Sequence, residues 1–442
     1  MGSAPNLSSS RLKVNKAMRF PLKISAPTPH LLQGADGEPF FLLGDTAWEL
    51  FHRLTLEEAE EYLEVRREQG FTQIWAVALA EFEGIRKPNR NGDLPFLDED
   101  PRRPNEPYWE HVDAVIAAAA TKGVGVGLLP TWGDKVTENW GDGPVIFDTP
   151  EVAFDYGKWI GARYAASPEI LWVNGGDRPV RTSTNDWLPI WRALAQGIRA
   201  GGATQLMTYH PQGGPDSTSV YIHDENWLDI NAMQSGHGGG RDVPVADLIA
   251  RDRDLIPWKP TLDAEPNYED HPISPWPTWD RANGHYDDYD VRRQTYRSLF
   301  AGACGVVYGH HSVWQFASDR EPWINNVLMD WRTALTRPGA QAMRYLRELF
   351  EERDWGQLWP FDQLLVDAGA GLDRCAVVRG PSYYLVYRSS PRPLALTRKG
   401  PFDVSRMDPR TGEWTHLGSI DKELPSDGPS PDAVFRLNLP PD

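Results

Sequence analysis

Two acids stand where apolar runs end. Asp177 closes EILWVNGGD (169–177), and Glu265 sits between an alanine and a proline in KPTLDAEPNYE (259–269). A carboxyl group that donates a proton, opposed to a carboxylate that attacks carbon or activates water, is what glycosidic bond cleavage needs. The gap between such groups selects the route: about 5–5.5 Å for direct attack, about 6.5–9.5 Å when a water must fit between them. Pro266 removes a backbone donor directly after Glu265, which helps end the run with the carboxylate at its rim. Each acid also has a plainer reading. Asp is a favoured helix N-cap and Gly-Gly a common turn, so Asp177 could cap a following helix. Glu265 has no capping position; its alternative is a buried pair with an arginine.

The other run ends are polar as well. They supply Asp45 and Trp48, Glu81 and Glu83, Trp132, Asn174, Tyr209 and His210, Gln234 and His237, Tyr268, then His310, His311 and Trp314. Of these, Asp45, Trp48, Trp132, Asn174, His210, Gln234, His237, Tyr268 and His310 form the expected sugar-binding set. Asp263 lies two residues before Glu265, so strand alternation places both on one face, with Asp263 deeper and structural. The histidines could ligate a metal in a barrel hydrolase. No H-E-x-x-H or H-x-H spacing supports that, and neither metal nor other cofactor is expected.

Something must bring these residues together, and short apolar runs alternating with helical patterns provide it. The runs are 39–45, 71–79, 123–132, 169–177, 205–211, 227–237, 259–269 and 305–311; helical patterns cover 54–70, 106–123, 150–167, 187–202, 243–255 and 291–305. Thr55 and Glu58 have capping-box spacing at the first helix. Eight units over roughly 270 residues fit an α/β fold of the (β/α)8 barrel type, which typically takes about 250. A doubly wound open sheet is the rival, but the first loop, GDTAWEL, lacks the glycine-rich phosphate turn. In a barrel the loops at the C-terminal strand ends carry the chemistry, and the ends of strands four and seven face each other. LKISAPTPHLLQGADGEPF reads as short extended pieces around an Asp-Gly turn, a floor or edge for the barrel. A long helical pattern spans 325–353. After it come alternating runs without helices, CAVVRG, YYLVYRS and AVFRLNL among them, which predict a small antiparallel β-sandwich. The expected organisation is a flexible segment 1–19, a barrel 20–352 and a β domain 353–442.

The bulk composition restricts partners. The net charge of −17 repels a polyphosphate, so nucleic acid is not an expected partner. No run has the length of a membrane helix, and the first thirty residues lack an apolar signal core. Cytoplasmic residence is the default expectation, with secretion or periplasmic export if a signal precedes Met1. Two cysteines cannot make a disulfide framework and read as small buried side chains. Nineteen tryptophans can fill a core or hold the CH face of a sugar ring.

GDTAWELFHRLTLEEAEEYLEVRREQGFTQIWAVAL, LWVNGGD and TLDAEPNYE together resemble the apiosidase-like glycoside hydrolases, (β/α)8 enzymes long grouped as a domain of unknown function. MDPRTGEW resembles their small C-terminal β-sandwich, which carries a collagen-binding name. The resemblance implies a retaining enzyme acting on apiose-containing pectic glycans, with Asp177 as acid/base and Glu265 as nucleophile. It tips Asp177 from capping towards catalysis. Loops such as 86–104 and 268–290 would set the sugar, so another specificity on the same barrel stays open. The rivals are a catalytically inactive carbohydrate-binding barrel and a metal-dependent barrel hydrolase.

Overall fold

The computed structural model describes residues 19–137, 143–237, 240–273, 281–351 and 355–439. The expected N-terminal segment lies outside these residues except for Arg19, and so does the expected boundary at 352/353.

Eight parallel strands make the central sheet: β1 (Leu42–Thr46), β2 (Gln73–Val77), β3 (Gly125–Leu129), β4 (Ile170–Gly175), β5 (Met207–His210), β6 (Asn231–Met233), β7 (Thr261–Asp263) and β8 (Gly305–Tyr308). Their order is β5-β4-β3-β2-β1-β8-β7-β6. At the seam between β5 and β6 the Asp229 N–H donates to the Met207 carbonyl at 2.8 Å, and the Thr208 hydroxyl donates to the Ile230 carbonyl at 2.8 Å. These bonds nearly close the barrel. Every residue of the eight strands is buried, which is why the runs read as continuously apolar rather than alternating.

Helices α1 (Leu56–Glu68), α2 (Glu106–Thr121), α3 (Pro150–Tyr164), α4 (Leu188–Ala200), α5 (Val245–Arg253), α6 (Asp288–Phe300) and α7 (Pro338–Glu351) cover the sheet. The Thr55–Glu58 capping box forms in both directions, at 3.3 and 3.1 Å. A second box, Asp287 with Asp290, starts α6 three residues before the point its apolar pattern suggests. The pattern over 325–353 is not one helix. It divides into Trp331–Ala334 and α7, because Pro338 has no N–H to continue a helix and is suited to begin one. Upstream of β1, Lys23–Ile24, Leu32–Gln33 and Pro39–Phe40 form a small antiparallel sheet.

The C-terminal part is antiparallel. Strands β9 (Trp359–Pro360), β10 (Ala376–Arg379), β11 (Tyr383–Arg388), β12 (Phe402–Met407), β13 (Trp414–Ile420) and β14 (Ala433–Asn438) run in the order β9-β10-β11-β14-β12-β13. A two-stranded sheet, Leu394–Ala395 with Glu423–Leu424, accompanies it, and the pair fits a β-sandwich. Alternation works here as it does not in the barrel. Tyr383, Leu385 and Tyr387 of β11 join the core shared with the barrel, while Tyr384 and Val386 face the second β-domain core. Tyr387 stacks on Tyr296 of α6 with centroids 4.7 Å apart, and Arg292 of α6 pairs with buried Asp432 at 3.1 Å. Cys304 and Cys375 are buried free thiols. Among the described residues, no helix is long and apolar enough to cross a membrane.

Candidate active site

The end of β4 is a bend in three residues. Gly175 and Gly176 have φ of +85° and +119°, and Asp177 itself is left-handed at +54°. A Cβ on Gly175 would lie 2.3 Å from the His210 carbonyl, and one on Gly176 would lie 2.9 Å from the Trp132 ring. Only glycine therefore fits beside β5 and the β3 loop. Aspartate tolerates the left-handed region better than most residues, and backbone held there is typical of functional positions. Asp177 caps no helix: α4 starts at Leu188 after Trp187, ten residues further on.

At β7 the regular strand stops at Asp263, so alternation does not carry to Glu265. The two acids have separate partners. Asp263 accepts hydrogen bonds from the Ser235 and Ser298 hydroxyls at 2.6 and 2.7 Å, and Ser298 belongs to α6. Burial pushes its carboxyl up to about 6 despite these donors. Glu265 instead meets the β5 and β6 ends. Gln234 Nε2 donates to its Oε1 at 2.7 Å, His237 Nε2 lies 3.2 Å from the same oxygen, and His210 Nε2 lies 3.0 Å from Oε2. The Asp177 N–H points at His210 Nδ1 at 3.4 Å, so that nitrogen accepts and Nε2 carries the proton towards Glu265.

These surroundings drive the two carboxyls apart. Burial alone would raise Glu265, but hydrogen bonds from His210 and His237 outweigh it and hold the group well below the usual carboxylate range. Burial, then the Glu265 charge, push Asp177 up to about 7, against the pull of Arg178. About a third of the Asp177 side chain (34 %) is still open to solvent, so a reacting group can reach it. One acid protonated near neutrality beside one that stays ionised is the division of labour that acid-assisted hydrolysis uses.

Aromatic rings wall the site. Trp48 lies 5.1 Å from Trp132 and 5.3 Å, edge-on, from the His210 ring, and its Nε1 donates to the Tyr268 hydroxyl at 3.2 Å. His237 packs edge-on to Tyr268 at 4.4 Å and stacks on His271 at 4.1 Å. Among the described residues, Trp132 Nε1 and Gln234 Oε1 are buried without a hydrogen-bond partner, one donor and one acceptor, as expected of a site that takes hydroxyls.

The structure thus gathers Asp177, Glu265, Trp48, Trp132, His210, Gln234, His237 and Tyr268. Three expected sugar-binding residues spend polar groups on other partners. Asp45 is fully buried and faces α1, where it accepts from Tyr62 Oη at 2.5 Å and Arg66 Nε at 2.7 Å. Both Asp45 and Arg66 are closed to solvent, so Asp45 belongs to the barrel wall. His310 spends Nε2 on Asp270 at 3.1 Å, and its Nδ1 accepts the Ser312 N–H at 3.0 Å. Asn174 is buried and its Nδ2 donates to Met207 Sδ at 3.4 Å, while its Oδ1 has no partner among the described residues. Two further residues act on the site. Arg178, closed to solvent, donates to Glu81 Oε1 at 2.7 Å and to the Asp177 carbonyl at 2.9 Å, and lies 3.5 Å from the Asp177 carboxylate. Its position right after NGGD was the available signal, and Glu81 stood among the polar run ends; their pairing, across 97 positions, had no local signal.

A (β/α)8 barrel with acids of opposed ionisation at its C-terminal mouth is the arrangement of a glycoside hydrolase. The family model for the apiosidase-like catalytic domain matches residues 27–357. The chain belongs to this family and is a glycoside hydrolase. Among solved structures, one titled glycoside hydrolase is 29% identical with a TM-score of 0.84, covering 95% of this chain and 97% of its own. A glycoside hydrolase family 5 structure from Bacteroides vulgatus is 27% identical with a TM-score of 0.83, covering 95% and 93%. A second structure from the same organism shares the fold at 17% identity, with a TM-score of 0.65 and coverage of 95% and 82%. No curated protein matches the chain.

Proposed function

We propose that the protein is a retaining glycosidase of plant cell-wall pectic glycans, with Glu265 as nucleophile and Asp177 as acid and then base. The opposed ionisation of these two carboxyls carries the reading. In the first step Glu265 attacks the anomeric carbon, the glycosidic bond breaks, and Asp177 gives its proton to the departing oxygen. A glycosyl ester on Glu265 results. In the second step Asp177, now ionised, takes a proton from water, water attacks the anomeric carbon, and the ester bond to Glu265 breaks. His210, His237 and Gln234 stabilise the carboxylate as it attacks and again as it leaves. Trp132 Nε1 and Gln234 Oε1 meet sugar hydroxyls, and the Trp48 and Trp132 faces take the CH side of the ring.

The test is hydrolysis of branched pectic oligosaccharides, including apiose-bearing ones, with the anomer of the first-formed product followed by NMR. Release of the starting anomer supports this reading. Inversion would move Glu265 from nucleophile to general base, and cleavage confined to other glycans would replace the pectic assignment.

A further inference from the structure

The end of the barrel opposite the carboxylates carries two tryptophans that core packing does not account for. Trp258 stands in the turn between α5 and β7, at the N-terminal end of that strand, and Trp359 opens β9, where the chain enters the C-terminal sheet. They are 56% and 54% exposed. Tryptophan is strongly buried on average, and exposed apolar surface gathered in one place marks a contact site. His30 gathers them: its ring lies 5.9 Å from Trp258 and 6.0 Å from Trp359.

Beside these rings is a notch of about 20 Å³, room for one oxygen-sized group. His30, Arg253, Trp355 and Trp359 are among its lining residues. Arg253 Nε, Trp355 Nε1 and His30 Nδ1 are buried without a hydrogen-bond partner among the described residues. Trp355 itself is only 5% exposed. An indole N–H and a guanidinium N–H can only donate, and burying both with nothing to receive them is costly. The notch therefore suits an acceptor.

Its charge is uncompensated as well. Arg253 ends α5 with its guanidinium 4.1 Å from the centre of the Trp359 ring, and its Nη1 donates to the Ala301 carbonyl at 3.2 Å. Burial disfavours the Arg253 charge, with Asp254 as the opposing influence, and no ion pair forms among the described residues. Burial and the Arg253 charge also lower His30, so the guanidinium is the cation of the notch. A carboxylate oxygen both accepts and brings the opposite charge; a hydroxyl meets the first need alone. The flanking indoles decide what carries that carboxylate. Their exposed faces suit the CH faces of sugar rings, and the chain belongs to a family that acts on glycans.

We infer that this end of the barrel is a docking site for an acidic glycan chain, with a uronate carboxylate seated in the notch and neighbouring rings lying on Trp258 and Trp359. The site holds polymer without touching the bond under cleavage. It stands whatever roles Asp177 and Glu265 play.

The test is affinity electrophoresis of the full chain through gels containing polygalacturonate, its methyl ester or poly-glutamate. Polygalacturonate binds about tenfold more tightly than the ester, whose carboxyls are masked, because only the free acid makes charge-assisted bonds. Trp258→Ala and Arg253→Gln each weaken that binding about tenfold, while hydrolysis of small aryl glycosides is unchanged. Trp258 is exposed, so Trp258→Ala leaves the fold intact and carries the test if Arg253→Gln misfolds. Absent or equal retardation by acid and ester, or unchanged affinity in either folded variant, overturns the docking site. So does a matching loss of aryl glycoside hydrolysis. Equal retardation by poly-glutamate would reduce the face to a general anion binder, and a dimer in sedimentation that Trp258→Ala dissociates would give it to a second copy of the chain; either result overturns the glycan assignment.

Discussion

His210 connects the two carboxyl residues: its Nε2 stands 3.0 Å from Glu265, and its Nδ1 accepts the backbone N–H of Asp177. One imidazole therefore sets the ionisation of the first acid and the backbone position of the second.

If that link matters, His210→Phe keeps a ring beside Trp48 and Trp132 while removing both nitrogens. Burial then raises Glu265 with one opponent fewer. The acidic limb of kcat/KM moves to higher pH. A pH–rate profile checks this, and an unmoved acidic limb would mean His210 only packs.

Asp177, pushed up to about 7, sets the alkaline limb, so activity falls as pH rises through that value. Asp177→Asn lowers kcat by about 10²–10⁴ on substrates with poor leaving groups. The loss is smaller on nitrophenyl glycosides, whose leaving group needs no proton. Glu265→Gln abolishes turnover of both. Parent rates in either variant would remove that residue from its role.

The same raised acid has a consequence for stability. An unfolded aspartate loses its proton near pH 3.9, and the folded one holds it to about 7. Between these values the unfolded chain binds fewer protons, so this group's contribution to stability falls as pH rises. Asp177→Asn accordingly raises Tm more at pH 8 than at pH 4, measured by thermal unfolding at both. An equal shift at both would show that Asp177 is not raised.

Glu81 acts on Asp177 from the β2 loop. Its charge raises the Asp177 carboxyl, and its pairing occupies Arg178, which lowers it. Glu81→Gln removes the first influence and frees the second, and both changes move the alkaline limb to lower pH. Kinetics across pH 5–9 report this, while movement in the opposite direction would refute it.

Asp45, expected in the sugar site, is half of a pair with Arg66 in which both side chains are closed to solvent. Losing one partner of such a pair costs about 3–5 kcal/mol. Asp45→Asn lowers unfolding free energy towards that range in a denaturant titration and leaves KM unchanged; a raised KM in folded protein would return Asp45 to the sugar site.

How much of this was legible beforehand follows the range of the interactions. Apolar runs, the Thr55 cap and the acids after β4 and β7 are local patterns, so the eight strands, the C-terminal sheet and the Asp177–Glu265 pair are readable from neighbouring residues. Pro338 was readable too, and its break in the helix shows that a strong local signal outranks a long apolar period.

The tertiary structure alone decided which way each strand-end residue turns. Asp45 and Glu265 look alike in sequence, yet Arg66 takes one into the wall and His210 leaves the other at the mouth. Parity along a strand is relative and stops where the ladder stops, after Asp263. Absolute direction, and with it each carboxyl's charge, comes from partners on distant loops that meet only when the barrel closes.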